Sequence, residues 1–185
     1  MAQDARARIA DWPEESREAA GLVIDTYGEP DEATPSLLTW HDAGPWKRVI
    51  ASRTFYPHEF PAPHIDAVES VIDYQVPVDK VSPLAEFDGS VVVERTAGEL
   101  SARCHDEQAN FLALNLAHDI VKDIRDVEDA RAYYAKEFLD YRRKKPTPYM
   151  QGLRFVPSSV TGDPDERILT DDDLEGAQRE GKSAA

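Results

Sequence analysis

Two pairs of short segments, each split by a tight glycine-containing turn, constrain this chain more than any other feature. Residues 36–41 (SLLTWH) and 46–53 (WKRVIASR) flank Asp42-Ala43-Gly44-Pro45. Residues 90–95 (SVVVER) and 99–104 (ELSARC) flank Thr96-Ala97-Gly98. All four are rich in β-branched or alternating residues, so each pair reads as a β-hairpin. A chain that spends its strands in hairpins builds an antiparallel sheet, not a parallel one reached through crossover helices.

The rest of the pattern is helical or irregular. Pro13 suits a first helical position, with Glu14, Glu15 and Glu18 near the positive end of the helix dipole. Ala19, Leu22, Val23 and Tyr27 share a face, and Gly28-Glu29-Pro30 stops the helix. Three prolines in PHEFPAP, residues 57–63, predict a stiff, irregular connection. Residues 68–76 alternate through Val68, Ile72, Tyr74 and Val76, broken only by Ser70, and read as a strand with a short helix as the alternative. Residues 79–87 read as a helical turn ended by Asp88-Gly89. Asp106 and Asp126 are natural caps for two closing helices. The first of these is apolar on more than one face through Phe111, Leu112 and Leu114, which places it centrally.

The expected fold class is therefore α+β: an N-terminal helix, an antiparallel sheet of about five strands (two hairpins plus one strand), two C-terminal helices packed on one face, and a polar acidic tail. The expected division is a single domain over residues 1–155 and a tail over 156–185, mobile or docked. Within that tail Asp171–Ala177 (DDDLEGA) can form a short capped helix, with Ile168, Leu169 and Leu174 as apolar anchors on a partner or on the domain itself.

Charge narrows the function classes. The net charge is −15 over 185 residues, with 36 acids against 21 lysines and arginines. Such a surface repels phosphate backbones and anionic lipid, so neither nucleic acid nor membrane is an expected partner. No apolar run approaches the ~20 residues that span a bilayer. The N-terminus lacks a basic-then-apolar leader, and the lone cysteine, Cys104, leaves no internal disulfide. A cytoplasmic setting follows as the expectation. The aspartate-rich composition fits either a high-salt environment or an arginine-rich genome with an acidic tail.

No phosphate-cradling glycine loop, nucleophile elbow, H-E-x-x-H or paired C-x-x-C is present. Two weaker constellations remain. His58, His64 and Asp66 fall within nine residues, and on an extended backbone His64 and Asp66 point the same way. Imidazoles plus a carboxylate suit zinc or non-haem iron, so these three, with His41 as a further ligand and His105 or His118 as substitutes, form a candidate divalent-metal site. The ordinary alternative is that the imidazoles satisfy carbonyls of a proline-rich loop.

The second constellation is the polar side of the second hairpin. Glu99 and Arg103 alternate on one strand, Arg95 stands on its partner, and Glu107 opens the next helix. Turned inward, they would bind a small polar ligand; turned outward, they are a solvated sheet face. Cys104 beside His105 makes a poor nucleophile–base pair, because strand neighbours point to opposite faces. Arg142-Arg143-Lys144-Lys145 reads as a cationic helix end. Two functional expectations follow. The first is an acidic interaction or regulatory domain that contacts a protein partner or a second copy of itself. The alternative is a small-molecule binder or enzyme, metal-assisted, using the His58/His64/Asp66 loop.

Overall fold

The computed structural model describes residues 4–158 and 162–183. The fold is α+β, with six strands in one antiparallel sheet. The short helix α1 (Ala5–Arg8) precedes α2 (Glu14–Tyr27). The strands β1 (Glu32–Ala33), β2 (Leu37–Ala43), β3 (Trp46–His58) and β4 (His64–Asp73) follow. Helix α3 (Val78–Phe87) leads to β5 (Val91–Glu94) and β6 (Glu99–Cys104). Helices α4 (Glu107–Val121) and α5 (Val127–Arg142), a 3₁₀ turn over Pro148–Met150, and α6 (Asp171–Ser183) complete the chain. The strand order is β1-β2-β3-β4-β6-β5.

Both hairpins form where the turn chemistry places them. The first closes through Asp42 and Gly44, both at positive φ; a Cβ on Gly44 would meet the Tyr27 ring and hydroxyl. The sheet has one strand more than about five because β1, only two residues long, pairs with Thr39 and Leu38 of β2. Its signal lies in that pairing, not in its own sequence. β3 also runs further than its prolines suggest. Beyond Ser52 it has lost β2 as a neighbour, so Pro57 pairs Ile65 on one side and needs no donor on the other.

The helices cover one face. Val68 and Ile72 of β4 and Leu100 and Ala102 of β6 are buried in the core with Leu112, Leu116 and Ile120. Ser70, the break in the alternation of β4, belongs there too. It is fully buried and accepts a hydrogen bond at 2.9 Å from the amide nitrogen of Asn110 on α4, which also donates to the Val68 carbonyl at 3.1 Å. One polar pair inside an apolar layer fixes the height of α4 on the sheet. Trp46 stacks on Phe111 with ring centroids 4.6 Å apart, while Trp40 donates its indole N–H to the Gly28 carbonyl. Asp106 and Asp126 cap α4 and α5, accepting from Ala109 and Asp129. Among the described residues no helix is long and apolar enough to cross a membrane.

Candidate functional site

The end of the sheet where β3 turns into β4 gathers His58, His64 and Asp66. His58 is the last residue of β3 and pairs directly with His64, the first of β4. Their rings lie 4.8 Å apart. Asp66, two residues further along β4, shares the face of His64, as strand periodicity requires. The intervening loop is anchored by Phe60, which packs against Tyr134 at 5.0 Å and Phe87 at 6.2 Å. The Arg131 guanidinium lies 3.9 Å over the Phe60 ring and donates to the Phe87 carbonyl at 2.6 Å.

Asp66 is the floor of the cluster, 1% exposed. Its Oδ2 accepts a hydrogen bond from Ser90 Oγ and lies 3.3 Å from His58 Nδ1. Its Oδ1 lies 3.2 Å from His64 Nε2, an ion-pair contact, but closes no hydrogen bond of good geometry. The other nitrogens of the two rings are turned away. His64 Nδ1 donates to the Ala62 carbonyl at 2.8 Å, and His58 Nε2 faces Asp88 Oδ1 at 3.7 Å. The ligand atoms of His58, His64 and Asp66 all lie within 4.8 Å of one another. The two rings face different oxygens of Asp66, so a tetrahedral ion with bonds near ~2.1 Å and ligand atoms roughly 3.4 Å apart would draw them together over the carboxylate.

The electrostatics have one sense. Asp66 and Asp88 are both almost wholly buried at this end. Burial drives the Asp88 carboxyl above its ordinary range, opposed by the Ser90 amide and His58. Burial pulls the His64 imidazole down, but the adjacent Asp66 carboxylate, the Cys104 sulfur and the Ala62 carbonyl outweigh it and hold it up at about 11. Burial also raises the Cys104 thiol. Two desolvated carboxylates call for positive charge, which a protonated imidazole or a cation supplies. The His58 and His64 side chains remain 19% and 17% exposed, so the cluster opens to solvent on the histidine side.

Three participants are not visible from spacing. Asp88 and Ser90 arrive from the α3–β5 turn, and Cys104 ends β6. The register sets them here: Val68 pairs Cys104, and the Ser90 carbonyl accepts from the Arg103 amide. Cys104 thus lies against His64, not against its sequence neighbour His105, which lines a groove beside Arg6, Arg17 and Asp25.

His41 does not join the cluster. It sits across from Arg48, ten residues along β3 from His58, a strand length of roughly 30 Å. There it pairs with Glu32 at 2.7 Å. His118 stacks on Phe155 at 4.1 Å, its Nδ1 accepting from the Tyr74 hydroxyl.

The four residues of the second constellation also stay apart. Glu99 is held by Arg48 through two bonds of 2.8 and 2.5 Å and by Lys47 at 3.0 Å. Arg103 lies 4.7 Å over the Tyr56 ring, and Arg95 reaches Asp165 at 3.0 Å. Glu107 accepts from Tyr27 and, at 2.6 Å, from the Trp46 indole, beside a crevice of about 170 Å³ between α2 and α4. Comparison with family models, with curated proteins and with solved structures finds no match to this chain.

Proposed function

We propose that the chain is a metal-binding domain whose site is His58, His64 and Asp66. The observation that carries this reading is the buried Asp66 carboxylate, whose Oδ1 closes no hydrogen bond and whose two oxygens each face a different imidazole, Oδ1 toward His64 and Oδ2 toward His58. A buried carboxylate oxygen without a donor costs about 1–3 kcal/mol, more for a charged group, and a cation removes that cost. Outer-shell partners support the same reading. Metal-ligating histidines hand their other N–H to a carbonyl or carboxylate, as His64 does to Ala62 and as His58 is placed to do toward Asp88. Two nitrogens and one oxygen suit a zinc- or iron-type divalent ion with coordination positions left open. Such an ion supplies Lewis-acid chemistry to a ligand approaching from the exposed histidine side.

Elemental analysis of protein purified without chelator tests this. About one zinc, iron, manganese or nickel per chain is expected. Sub-stoichiometric metal, with none taken up on dialysis against zinc, rejects the reading.

A second reading, contact with another protein chain, has its own support. Helix α6 is a formed element with apolar residues on show, and every described side chain along it is exposed apart from the position of Gly176. This is the interaction-domain expectation in its most concrete form.

A further inference from the structure

Helix α6 begins with strong local signals. Thr170 donates its hydroxyl to Asp173 Oδ2 at 2.6 Å, and the Asp173 amide donates back to Thr170 Oγ1 at 3.2 Å. With the Thr170 amide donating to Asp173 Oδ2 at 2.8 Å this is a capping box, and Leu169 and Leu174 occupy the two staple positions around it. Yet isolated helices shorter than ~12–15 residues are marginal in water, and α6 has 13. Ile168 is 93% exposed, and neither cap nor staple uses it. The segment leading to α6 is pinned along the sheet end, Gly162 to Gln75 and Asp165 to Arg95.

A complementary surface exists on the same chain. At the C-terminal end of α5, Arg142, Arg143, Lys144 and Lys145 are all exposed, beside exposed Leu139 and Tyr141; Asp140 lies 3.8 Å from Arg143 and from Lys145, and Arg142 lies 4.7 Å over the Phe138 ring. It is the only run of four consecutive bases in the sequence. The start of α6 offers Asp171, Asp172, Asp173 and Glu175 beside Ile168, Leu169 and Leu174; Asp171 and Glu175 hold only exposed pairs with Arg167 and Arg179, which exchange at little cost, and Asp173 serves the cap. Within one chain both surfaces remain uncovered.

We infer that α6 of one copy docks on the basic end of α5 of a second copy. This rests on the protein-contact reading and names its partner; it is independent of the metal site. Acids and bases interleave across the contact, and the apolar anchors of the tail meet Leu139 and Tyr141. The net charge of −15 opposes association of two copies, so local complementarity, not overall charge, sets the pairing.

The test uses the full chain in sedimentation equilibrium at physiological salt. Wild type is expected to dimerise with a dissociation constant on the order of 10 µM. Asp172→Lys with Glu175→Lys, which spares the cap, and separately Arg143→Glu with Lys144→Glu, should each weaken this about tenfold. An equimolar mixture of the two variants should recover association. Ile168→Ser, at a side chain with no packing to lose, should weaken it without lowering Tm. Three results overturn the inference: a monomeric wild type at about 1 mM, a dimer indifferent to both charge swaps, or no recovery on mixing. A monomer whose α6 amides resist exchange would show the tail docking on its own body, and would overturn it equally.

Discussion

The two polar regions of the sheet solve the same problem in opposite ways. On the face away from the helices, β4 and β6 present Glu69, Asp73 and Glu99, and each finds a donor. Glu99 has Arg48 and Lys47, Asp73 has Lys47, and Glu69 accepts from Ser101. At the β3–β4 end, Asp66 and Asp88 are more deeply buried and no arginine or lysine pairs with either among the described residues. The first region is electrostatically closed. The second is held open around one carboxylate oxygen. Burial of acids is therefore not the mark of a site in this molecule; a buried carboxylate whose basic neighbours are two imidazoles is.

The largest expected effect strikes the closed region. Glu99→Ala leaves Arg48 and Lys47 facing each other and should cost about 3 kcal/mol in urea unfolding, reduced from the fully buried case because both cations touch solvent. A loss under about 1 kcal/mol would mean the ladder is ordinary surface pairing. Next is the open region. Zinc at a hundredfold excess over its dissociation constant should stabilise wild type by about 2.7 kcal/mol and Asp66→Asn by almost nothing. Equal stabilisation of both would erase the contrast between the regions.

A smaller effect is pH-dependent. Hydrogen bonds from Arg48, opposed by burial and aided by Lys47, hold Glu99 down at about 2. In the unfolded chain it titrates near ~4.3, so its contribution is complete above that pH and vanishes as pH falls through 2. The stability gap between wild type and Glu99→Gln should therefore shrink by about 2 kcal/mol between pH 5 and pH 2. A gap that widens on acidification would contradict the pairing. The smallest effect belongs to Ile168→Ser, within about 0.5 kcal/mol of wild type for the monomer's unfolding.

What the sequence discloses follows the range of each interaction. The hairpins, the caps at Asp106 and Asp126 and the α6 cap are local, and residues within four positions specify them. The short β1, the extension of β3 past Pro57 and the meaning of Ser70 are decided by partners far along the chain, Ser70 by Asn110 above all. The candidate site divides the same way. His58, His64 and Asp66 are readable because a tight β3–β4 connection brings near neighbours together. Asp88, Ser90 and Cys104 are not, because only the β4-β6-β5 order delivers them. His41 is misleading for the converse reason: close to the proline loop in sequence, it is fixed by register at the far end of β3.

The central claim is that a buried carboxylate flanked by two imidazoles marks a metal site. Calorimetric titration of zinc into wild type, Asp66→Asn and His64→Ala tests it most directly. The account predicts one ion per wild-type chain and no measurable binding by either variant. No heat of binding from folded wild type, or unchanged binding by Asp66→Asn, would contradict it.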